Sequence, residues 1–292
     1  MSIVDGASDV GVVLGAGGER AIAWEVGVLA GLADEGLDLR DAPVILGTSA
    51  GALVAARLAG GADPREDAAA HESRPVDAEP ARVDDGSVFD VFAAAWADAG
   101  ADLGERRRAF GAAAVAAGVN GEEADVAWIA ERLVDAQDWP AALRIATIDA
   151  ERGRRLVLDA GYDVALARAV AASRAIPTLK APVRVAGRAC VDGALGSATN
   201  ADALLPHRLH AVLVITPGVQ APAPGTAELL WADALEDEVE RLRAAGRLVI
   251  VMRAGPEDLD AMGPDPFSGA RARKAVRAGR TRGRELAPAL VR

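Results

Sequence analysis

A single serine stands between two glycines at the end of an apolar run. Residues 44–46 lead into Gly47, Ser49 and Gly51, and a helix-forming run rich in alanine follows at once. The G-x-S-x-G pattern between a strand and a helix is typical of a nucleophile elbow, a strained turn that exposes a serine hydroxyl. Glycine at both flanks lets neighbouring backbone approach, and the next helix N-terminus favours negative charge. The pattern predicts Ser49 as a nucleophile; the competing interpretation is a plain strand-to-helix connection.

A glycine-rich loop precedes this motif by one strand and one helix. It contains Gly15, Gly17, Gly18 and Arg20, directly after a short apolar strand. Such a loop presents backbone N–H groups to an anion, which could be a dinucleotide pyrophosphate or the oxyanion of acyl transfer. The dinucleotide fingerprint G-x-G-x-x-G fails at its sixth position, where Arg20 stands. Beside a nucleophile elbow, the loop favours an oxyanion hole at Gly17 and Gly18, with a ligand-free packing turn as the alternative.

A serine hydroxyl needs a base, and the sequence offers few. Asp192 follows an apolar run that would bury it, and Gly193 after it lets backbone approach closely. Asp-Gly also caps ordinary turns. His207 or His210 would complete the Ser-Asp-His order of α/β-hydrolases, but those enzymes place the elbow after several strands, and only one strand precedes it here. Asp192 is therefore the favoured base, and His71, in a polar segment, is expected on the solvated surface.

Strands alternate with helices along most of the chain, which predicts a three-layer α/β sandwich with a largely parallel central sheet. Strands are predicted at about 10–14, 142–149, 154–159, 183–185, 188–191, 211–215 and 247–252, a strand and helix at 43–58, and helices at 21–35, 164–174, 227–245 and 269–285.

The chain is expected to form one domain over residues 1–292, with a core at about 10–216. Residues 63–87 are charged and rich in proline, which predicts an exposed loop. Residues 88–137 have a helical pattern with seven apolar anchors, of which the aromatic ones are expected in the core rather than at a ligand. The anchors are Phe89, Phe92, Trp96, Phe110, Trp128, Ile129 and Leu133. They predict a helical cap over a cleft, or else helices of the outer layer. A C-terminal strand and basic helix are expected at about 227–286.

Composition excludes several classes of protein. The 292 residues are 51% hydrophobic with a net charge of −11, which indicates a globular chain and disfavours nucleic-acid binding. Cys190 is the only cysteine, so no internal disulfide forms. The start of the chain lacks a basic signal region and no apolar run is long enough to span a bilayer, so we expect a cytoplasmic protein. The basic helix at 269–285 predicts peripheral contact with an anionic membrane surface, against the alternative of a solvated helix.

The order and spacing of three motifs resemble the patatin-like phospholipase family. They are the glycine-rich loop at 15–20, the elbow at 47–51 and Asp-Gly-Ala at 192–194; residues 27–29 and 172–177 look like the same family. The resemblance covers about residues 10–216. The family loop resembles G-G-G-x-R-G, and here alanines replace its outer glycines if Arg20 matches its arginine. One extra residue also lies between Arg20 and residue 27.

The resemblance implies a patatin-like fold and a lipid acyl hydrolase of the phospholipase A or carboxylesterase type. It implies a Ser49–Asp192 dyad without histidine, an acyl-enzyme, and no metal or cofactor. The residues expected to support the site are Gly15, Arg20, Gly47, Gly51 and Gly193, with Gly17 and Gly18 as the oxyanion hole. The alternatives are an esterase with a Ser-Asp-His triad, an acyltransferase, or a non-catalytic nucleotide-binding α/β protein.

Overall fold

An eight-stranded sheet forms the centre of the protein. The computed structural model describes residues 9–73, 102–133, 138–218 and 227–290. Strand order is β5-β6-β3-β2-β1-β7-β8, and β4 pairs with β3 beside this path. The strands are β1 (Val10–Leu14), β2 (Val44–Thr48), β3 (Leu143–Asp149), β4 (Arg154–Leu158), β5 (Val183–Val185), β6 (Arg188–Asp192), β7 (Ala211–Thr216) and β8 (Leu248–Arg253). From β3 to β8 all neighbours on the path are parallel, whereas β4 and β6 run antiparallel to β3.

Nine helices and one 3-10 turn accompany these strands within the described residues, and the last two helices follow β8. The helices are α1 (Glu19–Asp34), α2 (Ala50–Ala59), α3 (Pro64–Ser73), α4 (Leu103–Ala116), α5 (Glu122–Ala130), α6 (Leu166–Ser173), α7 (Ala227–Ala244), α8 (Pro256–Met262) and α9 (Ala272–Leu290). The 3-10 turn is Ala201–Leu204 and precedes β7.

The sheet has an apolar core on each face. Side chains alternate along a strand, so Val12 and Val13 of β1 point to opposite faces. Val12 belongs to a core that includes α1, α2, α6 and α9, and Val13 to a core that includes α7 and the 3-10 turn. A smaller cluster forms around Phe110 of α4, which packs against Ile148 of β3 and Val191 of β6. The expected three-layer arrangement with a largely parallel sheet is confirmed.

Glycines bring α1 and α9 into backbone contact. Gly27 and Gly31 lie on α1, and Gly279 and Gly283 on α9. A methyl group on any of the four would overlap a backbone carbonyl oxygen of the opposite helix. The two helices therefore pack closer together than side chains of ordinary size would allow.

Asp34 links the C-terminal end of α1 to α9. Its carboxylate accepts hydrogen bonds from Nε and Nη2 of Arg280 at 2.7 and 2.9 Å and from Nε of Arg284 at 2.8 Å. The hydrogen bonds from Arg280, more than any other contact, lower the pKa of Asp34 to about 2. The far end of α1 is thus held to α9 by two arginines.

Two further arginines of α9 also have acidic partners. Arg282 pairs with Asp258 at 2.9 Å, and Arg277 lies 3.6 Å from Glu72. Much of the positive charge of the predicted basic helix is therefore matched by acids of the protein itself. Its contact with a membrane surface stays a prediction.

The segment predicted as an exposed loop at 63–87 begins with a helix, so that expectation is wrong for α3. Asp63 accepts a hydrogen bond from the Arg65 amide at 2.8 Å, and Pro64 occupies the first helical position, where it needs no N–H partner. The charged composition hid these start signals. Residues 74–101, which include the expected anchors Phe89, Phe92 and Trp96, lie outside the described residues.

Within the described ranges, no helix combines the length and the apolar character needed to cross a lipid bilayer.

Replacing Gly279 by Ala should lower the free energy of unfolding by about 1–3 kcal/mol, because the new methyl group forces α9 away from the Trp24 carbonyl oxygen. Urea denaturation monitored by circular dichroism measures the loss. Gly269→Ala is the matched control, since a methyl group there meets open space. Equal stability of the two variants would contradict the close packing of α1 and α9.

Candidate active site

Strand register brings the ends of β2 and β6 together on β3. Thr48, the last residue of β2, lies opposite Ala146, and Asp192, the last residue of β6, lies opposite Thr147. Consecutive residues of a strand are about 3.3 Å apart. Ser49, which follows Thr48, is therefore placed beside Asp192 although 143 residues separate them along the chain.

Ser49 occupies a strained turn between β2 and α2. Its φ of 54° and ψ of −115° are unusual for a residue with a side chain. A methyl group on Gly47 would overlap Ala52 of α2, and one on Gly51 would overlap the Leu14 carbonyl group at the end of β1. Both glycines are thus required by close backbone approach, as the elbow pattern predicts.

The Ser49 hydroxyl donates a hydrogen bond to Asp192. The distance from Oγ to Oδ2 is 2.8 Å, and Oδ1 of Asp192 accepts from the Ala194 amide at 2.8 Å. Both side chains are buried, with 6% of Ser49 and 2% of Asp192 exposed. Burial raises the pKa of Asp192 to about 6, although the hydrogen bonds and the charges of Arg174 and Lys180 oppose this. The carboxylate is thereby a stronger base than an exposed aspartate.

Ser173 joins the two halves of the site through hydrogen bonds. Its hydroxyl oxygen accepts from the Ser49 amide at 2.9 Å, and its carbonyl oxygen accepts from the Gly193 amide at 3.2 Å. The Asp192 amide donates to the Ala175 carbonyl at 2.9 Å. The end of α6 therefore holds the backbone of both residues. Sequence reasoning noted this segment without giving Ser173 a role.

Asn200 holds the loop that follows Asp192. It adopts a left-handed conformation with φ 53°, and its side-chain amide donates to Thr48 Oγ1 at 3.2 Å and to the Gly193 carbonyl at 3.1 Å. Thr48, which precedes Ser49, and Gly193, which follows Asp192, thus share one donor. Sequence reasoning missed Asn200, because nothing near it in the chain identifies its partners.

A buried carboxylate braces the same loop from α7. Glu238 is 3% exposed and accepts hydrogen bonds from the Ser197 hydroxyl at 2.6 Å, the Thr199 hydroxyl at 2.5 Å and the Ala201 amide at 2.8 Å. Burial raises its pKa, against the effect of these donors. Hydrogen bonds to Glu238 of α7 therefore hold the loop between β6 and the 3-10 turn in place. This contact too was missed from the sequence.

The glycine-rich loop is fastened to the elbow. The Gly15 carbonyl oxygen accepts from the Gly51 amide at 3.1 Å. Gly18 has φ 76°, and a methyl group on it would overlap the Pro266 carbonyl oxygen. Among the described residues, the amides of Gly17 and Gly18 have no hydrogen-bond acceptor. Arg20 points away from this loop, since its guanidinium donates to the Gly263 carbonyl.

The histidines lie elsewhere. His207 and His210 precede β7, whereas Ser49 follows the carboxyl end of the parallel strand β2. The six residues of β7 separate these two edges of the sheet by roughly 20 Å. His71 lies on α3 rather than in a solvated loop and is half-buried.

A cavity of about 270 Å³ lies between α1, α2 and α3. One part of its lining is aliphatic and comes from α1 and α2; the other part is charged or aromatic and includes Glu19, Arg57, His71, Trp128 and Arg132. The aliphatic residues are Ile22, Val26, Leu53 and Val54. The cavity thus offers amphipathic surroundings beside the helices that follow the glycine-rich loop and the elbow.

Replacing Asp192 by Asn should stabilise the protein at neutral pH. Because the folded pKa of about 6 exceeds the usual 3.8, the folded state binds more protons, and stability falls as pH rises from about 4 to about 6. About two pKa units correspond to roughly 3 kcal/mol, which Asn would recover in part at pH 7. Urea denaturation at pH 4 and pH 7 measures the difference, which should be largest at pH 7.

Ser49→Ala serves as the opposing variant, because it removes a hydrogen bond to the carboxylate while keeping the Cβ atom. It should lower the free energy of unfolding at pH 7. An Asn variant that is less stable than the native protein at both pH values would contradict the raised pKa of Asp192.

Comparison with known proteins agrees with the motif order. A sequence model described as Patatin-like phospholipase matches residues 12–205. No curated protein is significantly similar. Among solved structures, the chain is similar to VipD from Legionella pneumophila, with TM-score 0.45 and 15% identity over 97% of this chain and 67% of VipD. It is also similar to the type III effector ExoU, with TM-score 0.38 and 16% identity over 95% of this chain and 54% of ExoU.

A third similar structure is full-length ExoU in complex with SpcU from Pseudomonas aeruginosa, with TM-score 0.42 and 16% identity over 98% of this chain and 53% of that chain. The chain thus spans about half the length of ExoU. The family match runs from β1 to the 3-10 turn and includes both Ser49 and Asp192. This protein therefore belongs to the patatin-like phospholipase family.

Proposed function

We propose that the protein is a serine lipid acyl hydrolase that cleaves carboxylic esters through a Ser49–Asp192 dyad. The observation that carries the proposal is the 2.8 Å hydrogen bond from a serine in a strained elbow to a buried aspartate. Family membership supplies the substrate class, an acyl ester of a lipid. The charge and burial of the aspartate supply the base that the serine needs.

The reaction proceeds in two steps. Asp192 takes the hydroxyl proton as Ser49 Oγ attacks the ester carbonyl, and the protonated Asp192 then gives that proton to the departing alcohol. A water molecule, deprotonated by Asp192, attacks the acyl-serine and releases the carboxylic acid and the free hydroxyl. The amides of Gly17 and Gly18 hold the oxyanion in both steps, and losing one such donor raises a barrier by about 2.7–4 kcal/mol.

We favour a lipid substrate over a small polar ester because an amphipathic cavity lies against α1 and α2, the helices that follow the glycine-rich loop and the elbow. Aliphatic side chains of α1 and α2 line one part, which suits an acyl chain, whereas charged side chains suit a polar head. The supporting glycines act sterically: Gly47 and Gly51 permit the elbow, and Gly193 lets the chain after Asp192 pass the Ala146 carbonyl oxygen.

Peripheral contact with an anionic membrane is the further partner that we propose. It would use basic residues of α9 that do not pair with Asp34 or Asp258. One of them is Lys274, which is exposed. The acids already bound to Arg280, Arg282 and Arg284 reduce the attraction of this helix for anionic headgroups.

Replacing Ser49 by Ala should abolish hydrolysis of a chromogenic acyl ester and labelling by a fluorophosphonate, because both need the Oγ nucleophile. Rates are measured by absorbance and labelling by mass spectrometry. The matched control replaces His207 and His210 together, which should leave the rate within about twofold, since both lie at the opposite edge of the sheet. Full activity without Ser49 would contradict the dyad. An inactive double-histidine variant would instead favour the Ser-Asp-His triad.

The rate should depend on pH through Asp192. Only the carboxylate form accepts the Ser49 proton, so kcat/KM should rise about tenfold per pH unit below the pKa and level off above about 6. Lys180→Met should move the midpoint upward, because the lysine charge lowers the pKa of Asp192. Initial rates between pH 4 and pH 9 give both midpoints. A midpoint that moves downward in the variant would contradict this assignment of the base.

A further inference from the structure

One buried arginine beside the dyad has unused hydrogen-bond donors. Arg174 follows Ser173 at the end of α6 and is 6% exposed. Its Nη2 group pairs with the Glu19 carboxylate, but Nε and Nη1 have no partner among the residues that the structure describes. Leaving buried donors unsatisfied costs about 1–3 kcal/mol, more for a charged group. Such a group is expected to have an acceptor in the functional state of the protein.

The two neighbours of Arg174 along the chain hold the backbone of Ser49 and Asp192. Ser173 on one side accepts from the Ser49 amide, and Ala175 on the other side accepts from the Asp192 amide. Its ion-pair partner Glu19 is the first residue of α1, directly after the glycine-rich loop. The Arg174–Glu19 pair therefore reaches from the end of α6, beside the dyad, to the loop proposed to hold the oxyanion.

An aromatic ring and two further cations surround the guanidinium. The Cζ atom of Arg174 lies 5.3 Å from the ring centroid of Trp128, while Arg132 and Lys180 lie 3.5 and 5.8 Å from the same ring. Each cation has one acidic neighbour: Glu19 for Arg174, Asp125 for Lys180 and Glu131 for Arg132. An anion that enters here meets three cations around one ring and competes with their three carboxylates.

The amphipathic cavity lies beside this cluster. Its lining includes Glu19, the ion-pair partner of Arg174, together with Trp128 and Arg132. Its aliphatic part begins on the next turns of α1 and α2. A molecule with an anionic group near Arg174 and an ester at Ser49 would thus have an apolar surface for its chain nearby.

We propose that Arg174 binds the phosphate of a glycerophospholipid through its Nε–H and Nη1–H groups while an ester of the same molecule lies at Ser49. The inference rests on the proposed function. A phosphate group can accept hydrogen bonds from two donors of one guanidinium. Arg174 has two such donors without a partner among the described residues, Nε–H and Nη1–H. In a glycerophospholipid the phosphate and the acyl esters sit on the same three-carbon glycerol, which suits a cation one residue from Ser173.

The test compares two substrates that differ only in the phosphocholine head group, dihexanoyl phosphatidylcholine and dihexanoylglycerol, both measured at pH 8. Arg174→Met should lower kcat/KM for the phospholipid at least about tenfold more than for the neutral diester, as expected for a hydrogen bond to a charged group. Arg174→Lys should keep part of the preference, because it retains the charge without the fork. The matched control is Arg168→Met, which removes another ion-paired arginine of α6, held by Glu122 at 2.5 Å, and should leave the substrate ratio unchanged.

Binding separates this inference from the proposed function. Isothermal titration of Ser49→Ala with dihexanoyl phosphatidylcholine needs no turnover, and the added change Arg174→Met should weaken binding about tenfold. Inorganic phosphate alone should bind more weakly than the phospholipid if a lipid is the source of the anion. Equal losses on both substrates, together with binding that is independent of Arg174, would overturn the phosphate site. Arg174-dependent binding without any hydrolysis would instead refute the proposed function and leave the phosphate site standing.

Discussion

The site depends on keeping a carboxylate buried against a serine hydroxyl. Burial raises the pKa of Asp192, which suits the base that we propose, but the same burial opposes its ionised form. The surrounding contacts moderate this cost: the Ala194 amide, the Ser49 hydroxyl and two nearby cations all favour the charged carboxylate. The surroundings of Asp192 therefore balance desolvation, which raises its pKa, against donors and cations, which stabilise its charged form.

Holding that pair requires contacts from four separate parts of the chain. β3 provides the register, α6 provides Ser173, the loop after β6 provides Asn200, and α7 provides Glu238. None of these groups takes part in the proposed reaction, but each restricts the conformation of the backbone near Ser49 or Asp192. Such preorganisation matters because hydrogen bonds aimed in advance need no rearrangement during the reaction.

The sequence motifs predicted the elbow and Asp192, but they did not predict the residues from distant parts of the chain that form hydrogen bonds with the site. The elbow glycines and Asp192 follow from local steric and burial arguments, and alternation of apolar residues located the strands of the parallel sheet. Ser173 and Asn200 lie 124 and 152 residues from their partners Ser49 and Thr48, so no local pattern reveals them. The helix α3 was missed for another reason, because a charged composition outweighed the Asp63-Pro64 start signal that was present.

The position of the glycine-rich loop depends on contacts between distant parts of the sequence, because glycines of α1 pack against glycines of α9. Asp34 and Arg280 are 246 residues apart, so the helix that carries this loop cannot dock fully until α9 has emerged from the ribosome. Until then, the backbone groups that α9 covers face water. The helix that follows the glycine-rich loop is therefore fully packed only when the C-terminal part of the chain is present.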